Sequence, residues 1–337
     1  MGGMPNRLPI IDAHAHVDGD HEESAAAFEA MGARLLNVAL AWDETDKWKE
    51  SSDAYRRLAE KWPRVYGWCT SFDLPKFGDP GWADRVVSGL GEDFRNGAVA
   101  CKVWRSVGAE LRDPEGRYVQ LDHPVLEPVW AALEGAGRPL IIHAADPIDS
   151  YRPLDPGSIH YHYFKDHPEA YMHGRPGAPS HTETMAGRDR LVEKHPKLGV
   201  IGAHLASLEH DMQAIAARLD RYPNFAIDTS ARVVDMAGWG AGAREFCIKY
   251  QDRILFGTDL GSDGAHSKMA AAEHSRAIAT ARRAYDLSRA FFTSPDEMEW
   301  GWWDEKKRIR GLGLPADVAG KILSGNALRW IPGLARS

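Results

Sequence analysis

Short apolar runs alternate along the chain with longer stretches of helical spacing. The apolar runs are Ile10–His16 (IIDAHAH), Ala33–Leu40, Val65–Phe72, Gly97–Trp104, Pro139–His143, Leu198–His204, Phe225–Thr229 and Ile254–Thr258. Helical spacing covers Glu22–Met31, Asp46–Lys61, Gly81–Arg95, Asp122–Ala136, Arg188–His195, Leu208–Tyr222 and most of Ala231–Tyr250. Apolar runs that do not alternate with polar residues suit strands buried on both faces. Strict alternation of strand and helix with short links predicts a parallel sheet with right-handed crossovers. Eight such units are the number that closes an α/β (β/α)₈ barrel. A doubly wound open sheet is the alternative, but the first strand is not followed by the glycine-rich turn of a dinucleotide-binding fold. No linker or repeat divides the chain, so residues 1–337 are read as one domain.

Composition narrows the function classes. A 44% hydrophobic fraction over 337 residues supports one large core. A net charge of -7 gives no reason to expect a nucleic-acid partner. Cys69, Cys101 and Cys247 are scattered, with no CxxC, which fits a reducing compartment better than a disulfide framework. The first residues carry no signal-like apolar run and no segment has transmembrane length, so a cytoplasmic protein is expected.

The apolar runs end in polar residues. The first ends in His14 and His16, whose spacing puts both side chains on one face of a strand. The fourth holds Lys102, the fifth ends in His143 and the sixth in His204, and Asp259 follows the eighth. Each alone has an ordinary structural explanation: a bonded core histidine, a helix cap at Asp259, a snorkelling lysine. Together they would meet at the C-terminal rim of a barrel, where such folds carry their active sites. Imidazoles and a carboxylate converging there form a metal-site pattern. Trp104 and Arg105, which follow Lys102 after Val103, are candidate substrate contacts.

The DAHAH segment, a histidine after the fifth and after the sixth strand, and Gly257-Thr258-Asp259 resemble the amidohydrolase superfamily. The nearest likeness is to its amidohydrolase-related (amidohydrolase-2) branch. That branch includes aminocarboxymuconate semialdehyde decarboxylase, resorcylate decarboxylases and several lactonases. Arg188–His204 and the tail Leu314–Leu328 add to the likeness, the tail as a closing helical extension. The resemblance implies a TIM barrel in which His14, His16, His143 and Asp259 ligate one divalent ion, most often Zn²⁺. It implies that Asp259 takes a proton from the attacking water and that His204 acts on the substrate or leaving group. It also leaves a binuclear form open, with a carboxylated Lys102 bridging two ions. With one ion, Lys102 would instead face an anionic substrate group.

The resulting expectation is a metal-dependent hydrolase that cleaves a small polar carboxylate, lactone or amide by attack of a metal-bound water. A non-oxidative decarboxylase of a small carboxylic acid is the alternative, and a non-catalytic binding protein on the same barrel is a second. Ala144–Glu183, rich in histidine and aromatic residues, is too long for an ordinary link. It is read as an insertion that either walls the pocket or packs outside the barrel. Trp300, Trp302 and Trp303 form a candidate interface, which keeps a homo-oligomer open.

Overall fold

The structure, a computed structural model, describes residues 8–42, 45–261, 271–301 and 306–334. Its parallel sheet contains β1 (Ile10–His16), β2 (Ala33–Val38), β3 (Tyr66–Thr70), β4 (Ala100–Val103), β5 (Leu140–Ile142), β6 (Val200–Gly202), β7 (Phe225–Asp228), β8 (Ile254–Leu255) and β9 (Leu260–Gly261). Neighbours run β8-β7-β6-β5-β4-β3-β2-β1-β9, every pair parallel. The eighth apolar run is therefore strand only over Ile254–Leu255; a bend follows, and a second short strand, Leu260–Gly261, lies beyond the run. That bend closes the barrel. Ala13 N–H donates to Phe256 O and Asp259 N–H donates to His14 O, both at 2.9 Å, and Ala15 and His16 pair with Leu260 and Gly261. Gly261 is required here, since a Cβ would lie 2.4 Å from His16 Cβ.

One irregularity in β1 decides what the barrel encloses. Ile11 and Ala13 face inward and pack with Leu36, Ile141, Ile201 and Leu255. Between Asp12 and Ala15, β1 carries one residue more than β2 opposite it. Such a bulge shifts side-chain parity by one. His14 then faces inward, toward Lys102 and Asp228, while Ala15 joins the outer layer with Phe28 and Leu35. At the other end of the barrel, Ala327, Ile331 and Leu334 from the C-terminal helical segment (residues 316–330) and the turn after it pack on the same inner residues.

Asp12 faces outward and is fully buried. Its carboxylate accepts from Thr258 N (3.0 Å), the Thr258 hydroxyl, His14 N (3.1 Å) and the Tyr285 hydroxyl (3.1 Å). It thus ties β1 to the closing bend and to the helix Ala271–Thr293. Burial pushes its carboxyl up to about 7, and the donors pull the other way.

The helix after the insertion begins at His181, seven residues before the position that spacing suggested. A capping box explains this: Ser180 accepts from Glu183 N, and Glu183 accepts from Ser180 N. Two residues of this helix hold the turn that follows β6. His204, Leu205, Ala206 and Ser207 all have φ between 54° and 59°, a left-handed turn that costs roughly 1–2 kcal/mol per residue. Buried Arg188 donates to Ala206 O (2.6 Å), His181 Nε2–H donates to Ser207 O (2.8 Å), and Ser207 Oγ accepts from Ala145 N (3.2 Å). Gly202 lets the turn fold back, because a Cβ there would meet Ala206 Cβ at 2.7 Å.

Trp300 is buried against Phe291, so it belongs to the core and not to an interface. Trp302 and Trp303 lie outside the described residues. All three cysteines are free and buried. No helix among the described residues is long and apolar enough to cross a membrane.

Two outcomes follow from this packing. Asp12→Asn puts an amide N–H₂ among four donors, so urea unfolding should show a loss of about 2–4 kcal/mol. Unchanged stability would contradict the role given to Asp12. The second concerns His181, whose imidazole burial pushes down to about 4. Its proton therefore binds the unfolded chain more tightly than the folded one. The stability it contributes is complete above the unfolded value near 6.5 and is lost as pH falls toward 4, by up to about 1.4 kcal/mol per pH unit. Urea unfolding of the wild type and His181→Gln at pH 7, 6 and 5 should show the shallower acid decline in the variant.

Candidate metal centre

His14 and His16 leave β1 side by side, and Asp259 sits in the closing bend beside them. Asp259 has φ +63°, a left-handed conformation that Asp tolerates better than most residues. Its Oδ1 lies 3.5 Å from His14 Nε2 and 3.2 Å from His16 Nε2. One donor atom from each residue falls within 4.8 Å of the other two. The arrangement is a candidate site for one divalent metal ion.

Hydrogen bonding tests the fit. His14 Nδ1–H donates to Asp228 Oδ2 (2.9 Å), with Ser230 Oγ at 2.8 Å. His16 Nδ1–H donates to Val38 O (2.8 Å). An acceptor on Nδ1 fixes the tautomer and leaves the Nε2 lone pair for an ion. Burial lowers the His14 pKa, and the nearby Lys102 charge lowers it further, so the ring is the neutral form that ligation needs. The residues present fit a divalent cation.

The other rim residues stand around this trio. His143 follows β5, and its ring centroid is 4.4 Å from that of His204. Its Nε2 is buried without a hydrogen-bond partner, 3.7 Å from Asp146 Oδ1. His204 sits in the left-handed turn, its ring 5.0 Å from that of His14. Its Nδ1–H donates to Ser230 O (2.9 Å). Burial pushes its imidazole down to about 3, despite the Asp259 charge. Lys102 is fully buried, with Nζ 3.2 Å from His14 Nε2, and burial lowers its pKa.

His14, His16, Lys102, Trp104, His143, His204 and Asp259 all line one cavity of about 640 Å³. Arg105 is absent from that lining. It is buried, paired with Asp146 (2.8 Å) and Glu110 (2.7 Å), and stacked on Trp104 at 4.4 Å. From the insertion, Asp146, Pro147, His160 and Tyr163 contribute to the cavity wall.

Sequence reasoning missed Asp228. It is buried at the end of β7 and bonds His14 Nδ1, His204 N (2.9 Å) and Ser230 N (3.1 Å). Burial works against its ionisation, but the His14 ring and the Lys102 charge hold it well below the usual carboxylate range. Its signal was present in FAIDT, a lone acid closing an apolar run. Arg232 and Asp18 also line the cavity and were not singled out.

Solved structures share this architecture. An uncharacterised TIM-barrel protein from Bordetella bronchiseptica aligns over 98% of this chain and 100% of its own, at 15% identity and a TM-score of 0.56. The 5-carboxyvanillate decarboxylase of Sphingomonas paucimobilis aligns over 96% and 99%, at 16% identity and a TM-score of 0.54. A probable 2-pyrone-4,6-dicarboxylic acid hydrolase from Acinetobacter baumannii, solved with citric acid bound, aligns over 96% and 99%, at 10% identity and a TM-score of 0.52. At these identities the likeness is one of fold. No curated protein sequence matches the chain. The family model described as Amidohydrolase, of the amidohydrolase-2 type, matches residues 11–332, and the chain belongs to that family.

Proposed function

We propose that the protein is a metal-dependent hydrolase of a small polar carboxylate, lactone or amide. The observation that carries the reading is the pair of imidazoles with both Nδ1 atoms tied back, facing Asp259 across the rim of the barrel. To His14, His16 and Asp259 we add His143 as the fourth donor, because its buried Nε2 has no hydrogen-bond partner. Zn²⁺ suits three imidazoles and a carboxylate. When bound, the ion would lower the pKa of water and polarise the bond to be cleaved.

The chain's own residues then divide the work. Asp259, a third exposed, accepts the proton that water loses on attack. His204 turns its Nε2 to the substrate while Ser230 O holds Nδ1. Trp104, steadied by Arg105 beneath it, walls the cavity. The fold relatives include a decarboxylase and a probable hydrolase, both named for carboxylate-bearing compounds. Decarboxylation must deliver a proton to carbon, whereas hydrolysis must remove one from water, and the released product separates the two readings.

Lys102 supports a second reading of the metal content. A buried amine of lowered pKa, 3.2 Å from a ligand nitrogen, can be carboxylated and bridge a second ion. Intact mass and a stoichiometry near two would establish that form; a free amine with one ion per chain would exclude it. In that case Lys102→Ala should raise KM for an anionic substrate more than it changes metal content.

Metal analysis tests the reading directly. The purified protein should hold about one divalent ion per chain, and His14→Ala with His16→Ala should lose it while circular dichroism stays that of a folded barrel. Full occupancy in the double variant would remove the proposed site. Asp259→Asn keeps one oxygen ligand and loses the base. On the lactone, amide or aromatic acid that the wild type turns over, kcat should fall about 10²–10⁴-fold. Normal turnover in metal-loaded Asp259→Asn would refute the proton-acceptor role, and released carbon dioxide would identify a decarboxylase.

A further inference from the structure

A second cavity of about 340 Å³ adjoins the metal cavity, and the two share His160, Ala231, Arg232 and Asp259 as lining. Its other walls mix apolar Ile159, Val233 and Trp300 with polar Thr258, Ser288, Asp235 and Lys307, so it offers a half-apolar slot beside Arg232.

The cations near the metal site are not equally available. Arg105 is committed to Asp146 and Glu110, and Lys102 lies fully buried inside the metal cluster, 3.2 Å from His14 Nε2. Arg232 gives one hydrogen bond to the adjacent Ala231 O (2.9 Å), and its Nε is buried with no hydrogen-bond partner. Among the described residues, no carboxylate comes within ion-pair distance of it. Asp146 and Glu209 feel its charge from further off, and Asp235, which lines the slot, is paired with His160 at 3.3 Å. A buried guanidinium N–H without an acceptor is costly, and a planar carboxylate, which can also take a neighbouring Nη–H, is the group that answers it.

We propose that Arg232 is a specificity-determining residue that holds a carboxylate on the arm of the substrate remote from the metal. The substrate is then a compact molecule with two anionic ends, one at the metal and one at Arg232, joined by an apolar or aromatic body. This rests on the metal-site reading above for the first end only.

Calorimetric titration with isophthalate and benzoate tests the second end, because the two differ by one carboxylate. The zinc-loaded wild type should bind isophthalate about 10- to 100-fold more tightly than benzoate. Arg232→Gln should bring isophthalate down to the benzoate level with zinc content intact, and Arg232→Lys, which keeps the charge but not the fork, should restore part of the preference. Equal binding of the two acids by the wild type would overturn the proposal. So would an undiminished preference in Arg232→Gln, with thermal unfolding showing that the variant is folded. The metal reading fails separately: isophthalate binding indifferent to zinc removes the metal end and leaves the Arg232 comparison valid.

Discussion

The hydrogen bond from His14 Nδ1 to Asp228 is the contact on which the site depends. It crosses the barrel from β1 to β7, and the same carboxylate holds the backbone N–H of His204 at the start of the left-handed turn after β6. One buried anion thus sets the tautomer of a metal ligand and the placement of a second histidine. A buried carboxylate is costly without partners. Here the His14 ring, two backbone N–H groups and the Ser230 hydroxyl surround it. Removing the charge would leave those donors unmatched and free the His14 ring to turn.

The same logic explains the bulge in β1. A regular strand continuing from inward Ile11 and Ala13 would put Ala15 inside and both histidines outside. The extra residue reverses that parity, and Asp12, left on the outer side, holds the bulge to Thr258 and Tyr285. Two buried aspartates on opposite faces of the barrel wall therefore fix one short segment of β1. The left-handed turn is the counterpart at β6: Asp228, Arg188 and His181 offset its backbone cost together, none of them touching the metal position.

The barrel was legible in the sequence because each strand is an apolar run buried on both sides, and periodicity reports burial. The rim residues were legible because a histidine, lysine or aspartate interrupts or ends such a run. Asp228 does the same in FAIDT but was passed over, since no ligand role was expected after the seventh strand. The bulge could not be read, because parity reverses without any change in composition. The broken eighth strand was also hidden: Phe256–Asp259 is held by bonds to β1, to Ile322 O and to the Thr229 hydroxyl, all distant in sequence. The His181 start was readable, as Ser180 and Glu183 have capping-box spacing, although both lie inside the long stretch between the fifth and sixth apolar runs.

The charge of the whole and the charge of the cavity point in opposite directions. A net charge of -7 would repel an anionic substrate at long range. At physiological ionic strength that repulsion is screened beyond about 8 Å. Inside the cavity the nearest charges decide, and low-dielectric walls strengthen them. Arg105 is cancelled by its own carboxylates, and the buried histidines are neutral. The basic side chains left in the cavity wall are Arg232 and the buried Lys102, the latter beside the histidine and aspartate donors and whatever they hold. On the proposed reading, selectivity for an anion would arise from two separated positive points in the cavity, and the spacing between them, more than the overall charge, would set the length of the molecule accepted.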